Sequence, residues 1–255
     1  MLHLLIGTGD KTQRLLEVTK PGFLLIDDGP IADAFLEHFP KARLFDPTVH
    51  SFNPLRGIDY KHARDFASIV YTASPEGENT LTVRNGRRAL TRLLLSSSRL
   101  DQLEGSSPGE VEASETVADI LLSPVLQKVL CNPTNFSFKG SIVAKIDRAL
   151  LGDVDSFILA SFLIGQFKGQ VIVPDFGFYG RDFYSSLFRQ NRLTVGVNQL
   201  EELSKPLQQA CLAVKDKTIY RTTREDAERL IFYVNPTGNP TTLMTQVAGE
   251  YQKGD

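Results

Sequence analysis

Lys11 and Thr12 follow a short apolar run and a glycine-bearing turn, Leu4-Leu5-Ile6-Gly7-Thr8-Gly9-Asp10. A phosphate-binding loop needs that order: a strand, a glycine-rich turn whose N–H groups face the phosphates, a Lys, a Ser or Thr, then a helix. Gly7, Thr8 and Gly9 would supply the turn, and Lys11-Thr12 the Lys and the hydroxyl residue that follows it. Two details depart from the full pattern. Asp10 stands where Gly would precede the Lys, and Gly7 lies only four residues before Lys11, which leaves the loop short. Asp10 also puts a negative charge close to any polyphosphate, a repulsive arrangement. The same string would serve equally as a glycine-rich turn with a solvated lysine.

Two further strand ends could join that loop. Val171-Ile172-Val173-Pro174-Asp175 puts a carboxylate where nucleotide hydrolases hold the Mg²⁺ water shell, but Phe176 stands where a Glu would activate water. Asp175 would otherwise cap the turn before Gly177. The string Asp175-Phe176-Gly177 imitates a kinase motif, yet no kinase catalytic loop accompanies it. Gly196-Val197-Asn198-Gln199 offers a polar residue, Gln199, to sense a terminal phosphate; helix capping by Asn198 is the competing reading.

Other chemistries find little support. His3, His38, His50 and His62 have no metal-ligand spacing. Two cysteines, Cys131 and Cys211, exclude a disulfide framework and read as reduced, buried thiols. Arg84, Arg87, Arg88 and Arg92 share one helical face, which would meet phosphate, an acidic neighbour or plain solvent. With 28 basic and 30 acidic residues the net charge is −2, which excludes a globally basic nucleic-acid binder but not a local basic channel. No apolar run approaches the ~18 residues of a membrane-spanning helix, and the start of the chain lacks the basic segment of a signal peptide. A cytoplasmic location is expected.

To converge, these residues must stand at the ends of neighbouring strands. Continuous apolar runs predict buried strands at 2–6, 23–26, 43–45, 170–173, 193–197 and 210–214. Helical patterns fall at 12–18, 31–39, 60–71, 84–95, 141–150, 153–167, 183–190 and 224–233. Strand–helix alternation predicts a doubly wound α/β fold. The Ser-, Gly- and acid-rich stretch 96–115 reads as a flexible insertion within a single domain spanning 1–255.

The order of the pieces carries a resemblance. A strand ending at Asp27-Asp28 is followed by Ala42-Arg43-Leu44-Phe45-Asp46-Pro47 and then by His50-Ser51-Phe52-Asn53-Pro54-Leu55. This string, lying between a phosphate loop and a Walker B-like strand, resembles the conjugative DNA coupling proteins and their relatives in the FtsK/HerA superfamily. Arg84–Leu95, the Asp175 strand, the Gln199 strand and Thr222–Glu228 continue in the family's order. The resemblance implies a RecA-like P-loop NTPase core with a mainly parallel sheet flanked by helices, and hexameric rings that couple ATP hydrolysis to movement along duplex DNA. It assigns ATP to Gly7, Thr8, Gly9, Lys11, Thr12 and Gln199, and Mg²⁺ to Asp175 and Thr12. The expected function is a DNA-translocase-like ATPase in DNA transfer or packaging, working with partner subunits of such an apparatus, and virion-associated if it packages. Because Phe176 cannot orient water, hydrolysis should be weak or absent unless Asp182 or Glu201 supplies the base. The alternative is a pseudo-ATPase that keeps the fold as an assembly subunit.

Overall fold

The computed structural model describes residues 3–73, 81–180 and 192–234. Among these described residues seven strands stand in the order β3-β4-β2-β5-β6-β1-β7. Their ranges are β1 His3–Ile6, β2 Phe23–Asp27, β3 Arg43–Phe45, β4 Ile142–Lys145, β5 Gln170–Val173, β6 Leu193–Val197 and β7 Asp216–Ile219. Every residue of β1, β2 and β6 is buried, as continuous apolar strands covered on both faces require. The pairs β1–β6, β1–β7, β2–β5, β3–β4 and β5–β6 all run parallel. This is the expected α/β architecture with a parallel central sheet. The chain divides into two compact units, residues 1–25 with 169–255, and residues 26–168.

The first unit holds β1, β5, β6 and β7 with helices packed on them. Helix α1, Thr12–Val18, buries Leu15 and closes when Thr19 folds its hydroxyl back to the Leu15 carbonyl. Gln170 ties β5 to its neighbour through a 2.9 Å hydrogen bond to Thr194 of β6.

The second unit is mostly helical. Helix α2, Pro30–His38, starts with Pro at a first-turn position and is capped from outside by Asp27. The Asp27 carboxylate accepts from the amides of Gly29 at 3.0 Å and Ala32 at 2.8 Å. Helices α3, Tyr60–Ala73, and α4, Leu81–Ser96, follow, then α5, Pro108–Ile120, and α6, Pro124–Cys131. Within 96–115, the stretch expected to be an insertion, lie a 3₁₀ turn at Leu100–Gln102 and the start of α5. Helices α3 and α4 approach so closely that a Cβ at Gly86 would meet the Tyr71 hydroxyl at 2.3 Å.

Two expected elements are corrected. The stretch 141–150, read as one helix, is β4 followed by the short helix α7, Arg148–Leu151, because Asp147 accepts from the amides of Ala149 and Leu150 and restarts the chain as a helix. Helix α8, Asp153–Gln166, comes next and is buried from Ser156 through Ile164. The stretch 210–214, read as a strand, is largely the end of a helix. After the four-residue helix α9, Phe176–Tyr179, helix α10 runs Lys205–Leu212 with Pro in its first turn, and its Leu207 and Cys211 point inward one turn apart. The strand is β7, a part-exposed edge whose sequence Asp-Lys-Thr-Ile carries no apolar run. Helix α11 is Arg224–Val234. The helix expected at 183–190 lies outside the described residues.

Candidate functional site

The strand register brings three loops of the first unit to one edge of the sheet. Ile6, the last residue of β1, pairs with Val197 of β6 and Ile219 of β7, while Val173 of β5 pairs with Val195 of β6. Gly7, Pro174-Asp175 and Asn198-Gln199 therefore leave the sheet side by side at the carboxyl ends of their strands. That is where open α/β sheets bind ligands.

Gly7 has φ +103°, and a Cβ there would meet the Arg221 carbonyl at 2.5 Å, so only glycine fits this turn. The turn is fastened to the sheet: Gly7 N–H donates to the Val197 carbonyl at 2.9 Å and Thr8 N–H to the Arg221 carbonyl at 2.6 Å. Those two amides are thus spent. The amides of Gly9, Asp10 and Lys11 make no hydrogen bond to another described residue.

Lys11 turns inward and is only 7% exposed. Its ammonium donates to Asn198 Oδ1 at 2.9 Å. Its stem crosses β6 at Gly196, where a Cβ would stand 3.1 Å from Lys11 Cδ and 2.3 Å from the Pro174 carbonyl. Burial lowers the Lys11 pKa below the ordinary lysine value, while the carboxylates of Glu202 and Asp175 act in the opposite sense. One buried cation is therefore held among the ends of β5 and β6.

Asp10 behaves differently from a loop glycine. Its carboxylate accepts the Thr12 amide at 2.8 Å, and hydrogen bonds from the Thr12 hydroxyl and amide hold its pKa below the usual carboxylate range. The two Thr12 groups that a phosphate or Mg²⁺ would use are engaged by the chain's own anion. At the end of β5, Asp175 is half-buried at the start of α9, and the Phe176 ring is fully buried in the core.

Gln199 is exposed at this edge and opens the 3₁₀ turn Leu200–Glu202. Asn198 is not the cap of that turn, since its side chain serves Lys11 instead. Glu202, the last residue of the turn, lies over the Asp175–Gly177 bend: a Cβ at Gly177 would stand 2.1 Å from Glu202 Oε2. Glu201 faces elsewhere, toward Glu225, whose hydrogen bond raises the Glu201 pKa, and toward Arg229. Asp182 lies outside the described residues.

VirB4 of Thermoanaerobacter pseudethanolicus shares this fold. It is 10% identical to this chain with a TM-score of 0.52, over 92% of this chain and 80% of that one. The sequence matches no known protein family and no curated protein. The likeness supports the RecA-like P-loop NTPase architecture.

Sequence reasoning singled out Gly7, Thr8, Gly9, Lys11, Thr12, Asp175 and Gln199, and all of them lie at this one edge. It missed Gly196, Glu202 and the pairing role of Asn198. Gly196 carried a signal, since a glycine inside a buried strand marks a close approach. Glu202 carried none, because only the 3₁₀ turn swings it back over Gly177. Among the described residues no three His, Cys, Asp or Glu side chains gather as a metal cage. Mg²⁺ on a polyphosphate needs only one or two protein carboxylates, with water and phosphate completing its shell. The basic face of α4 meets an acid at one end, Arg92 with Glu110 at 3.6 Å.

Proposed function

We propose that this chain is a P-loop ATPase-like subunit of the FtsK/HerA type that binds a nucleoside triphosphate with Mg²⁺ and hydrolyses it slowly. The observation that carries the reading is Lys11, a buried ammonium at the junction of three strand ends beside an acid, Asp175, and the open amides of Gly9 to Lys11. In this reading Lys11 exchanges Asn198 for the β- and γ-phosphates. Gly7, Thr8 and Gly9 shape the turn around them, Asp175 and the Thr12 hydroxyl face Mg²⁺, and Gln199 lies beside the terminal phosphate. The metal would spread the charge of the phosphates. Glu202, not Phe176, is the carboxylate positioned to orient water. A role in DNA transfer or packaging, action on duplex DNA and assembly into a homo-oligomer follow from the sequence resemblance.

The pseudo-ATPase reading is favoured by one observation. Asp10 occupies both polar groups of Thr12, so a nucleotide must first displace a carboxylate from its own loop. Titration calorimetry with a non-hydrolysable ATP analogue, with and without Mg²⁺, separates the two. Saturable binding that tightens with Mg²⁺ is expected. No binding up to about 1 mM nucleotide, the upper end of ordinary substrate constants, would leave the assembly role.

A further inference from the structure

The string Phe52-Asn53-Pro54-Leu55 plays no part in the site above. Its first two residues, Phe52 and Asn53, line one side of a cavity of about 350 Å³ in the second unit. That volume is within the usual range for a small-molecule site, roughly 300–1,000 Å³. The opposite wall is the loop carrying Phe136 and Phe138, with Arg56, Lys139 and Lys168 around the rim.

The cavity has a rigid aromatic floor. Phe52 and Phe136 are buried, and both meet the half-buried Phe138 edge to face, at centroid distances of 5.0 and 5.7 Å. Arg43 holds the loop from behind: its guanidinium donates to the carbonyls of Ser137 and Lys139 and lies 5.0 Å from the centroid of the Phe136 ring. Asn135 sews the same loop to the turn and the irregular segment before the motif, accepting from the Ser51 amide at 2.8 Å and donating to the Val49 carbonyl at 3.0 Å. A half-exposed aromatic ring fixed this firmly is a stacking platform, not a residue waiting to collapse inward.

The rim has one sign of charge. Arg56, Lys139 and Lys168 are all exposed, and none has an ion pair among the described residues. No acidic residue lines the cavity. Elsewhere the same unit does pair its charges, as in Lys145 with Asp33 at 2.8 Å and Arg148 with Asp28 at 2.9 Å. Gln166 donates to the Pro54 carbonyl at 2.6 Å, which leaves its own side-chain oxygen as an acceptor at the cavity wall. The chemistry on offer is a flat apolar face, cations on one rim and an amide oxygen.

We propose that this cavity binds a nucleoside phosphate with an unpaired base, the base stacking on Phe138 and the phosphate held by Arg56, Lys139 and Lys168. A base inside a duplex cannot present its face, so the ligand is either a free mononucleotide or a nucleotide of a single strand. The proposal does not rest on the Lys11 loop. Its test uses the full-length chain with three probes: thymidine monophosphate, a fluorescent oligodeoxythymidylate of roughly a dozen nucleotides, and inorganic phosphate.

Phe138→Ala is expected to weaken nucleotide binding roughly tenfold to a hundredfold, the loss of one stacked base, while Phe138→Tyr retains it. For the oligonucleotide, Arg56→Gln and Lys168→Gln should each lower the salt dependence by about 0.7 in log K against log salt. The difference between Phe138→Ala and wild type should persist when both also carry Lys11→Ala, which keeps a failure here distinct from a failure of the triphosphate reading. Stronger binding of the oligonucleotide than of the monophosphate identifies a strand as the source; equal binding identifies the free nucleotide. Inorganic phosphate competing as well as thymidine monophosphate, or a Phe138→Ala chain that binds both nucleotides like wild type, would overturn the proposal.

Discussion

In the loop after β1, positive charge is buried and already answered: Lys11 is bonded to Asn198, and Asp10 holds Thr12. Around the Phe138 cavity the cations Arg56, Lys139 and Lys168 are exposed and unanswered, above an aromatic floor that is itself clamped. The first region must break contacts before it can accept an anion. The second needs only to receive one. A ligand at the first therefore competes with the protein's own groups, which lowers affinity but couples binding to a local rearrangement. At the second, the protein's reorganisation is largely complete in advance, the condition under which contacts convert most fully into affinity.

The largest effect expected of this contrast is on turnover. If Glu202 orients water over the Asp175 bend, Glu202→Gln should lower the ATP hydrolysis rate by about 10²–10⁴-fold, whereas Glu201→Gln, whose carboxylate faces Glu225, should not. Equal rates in wild type and Glu202→Gln, measured at saturating ATP, would remove Glu202 from the site. Next comes binding. Lys11→Ala should weaken nucleotide binding about tenfold to a hundredfold, the loss of one charge-assisted contact of roughly 1.5–3 kcal/mol. Asp10→Gly should strengthen it, by freeing both Thr12 groups and removing a like charge. Two neutral results together would mean that the loop is only a turn, and the contrast with the Phe138 cavity would become one between a structural and a binding region.

The smallest effect concerns Asp27, an acid that serves structure alone. Its burial raises the pKa above the usual carboxylate value, against the hydrogen bonds from Ala32 and Gly29. A raised folded-state pKa means the favourable contribution is present at low pH and is lost as pH rises through that value. Asp27→Ala should cost about 0.5–2 kcal/mol by uncapping α2. Asp27→Asn keeps an acceptor for both amides, so its stability relative to wild type should improve as pH rises from about 4 to 7. Urea unfolding across that range checks the sign, and a constant difference would refute it.

The sequence carried the buried strands well, because β1, β2, β5 and β6 are nearly unbroken apolar runs and nothing but a covered sheet accepts such runs. It carried the edge poorly. β7 is polar since one side is open, and Cys211, Leu212 and Val214 imitate a strand because a helix that buries a face near its end can show consecutive apolar residues. The site was legible wherever it depended on residue type at a strand end, as with Lys11 and Asp175. It was not legible where it depended on how a turn folds. Nothing in Leu200-Glu201-Glu202 says that one glutamate lies against Gly177 and the other faces Glu225.

The position of β1 also sets a schedule. It precedes residues 26–168 in the chain, yet both its neighbours, β6 and β7, lie beyond residue 192. During synthesis, His3 to Ile6 find no partner until Leu193–Val197 has emerged, while residues 26–168 can already collapse on one another. The phosphate-type loop cannot take its shape earlier still, because the Gly7 turn is moulded against the Arg221 carbonyl. Nascent chains halted before β6 should therefore show protease-resistant material from residues 26–168 and a freely cleaved β1, with protection of β1 arriving last.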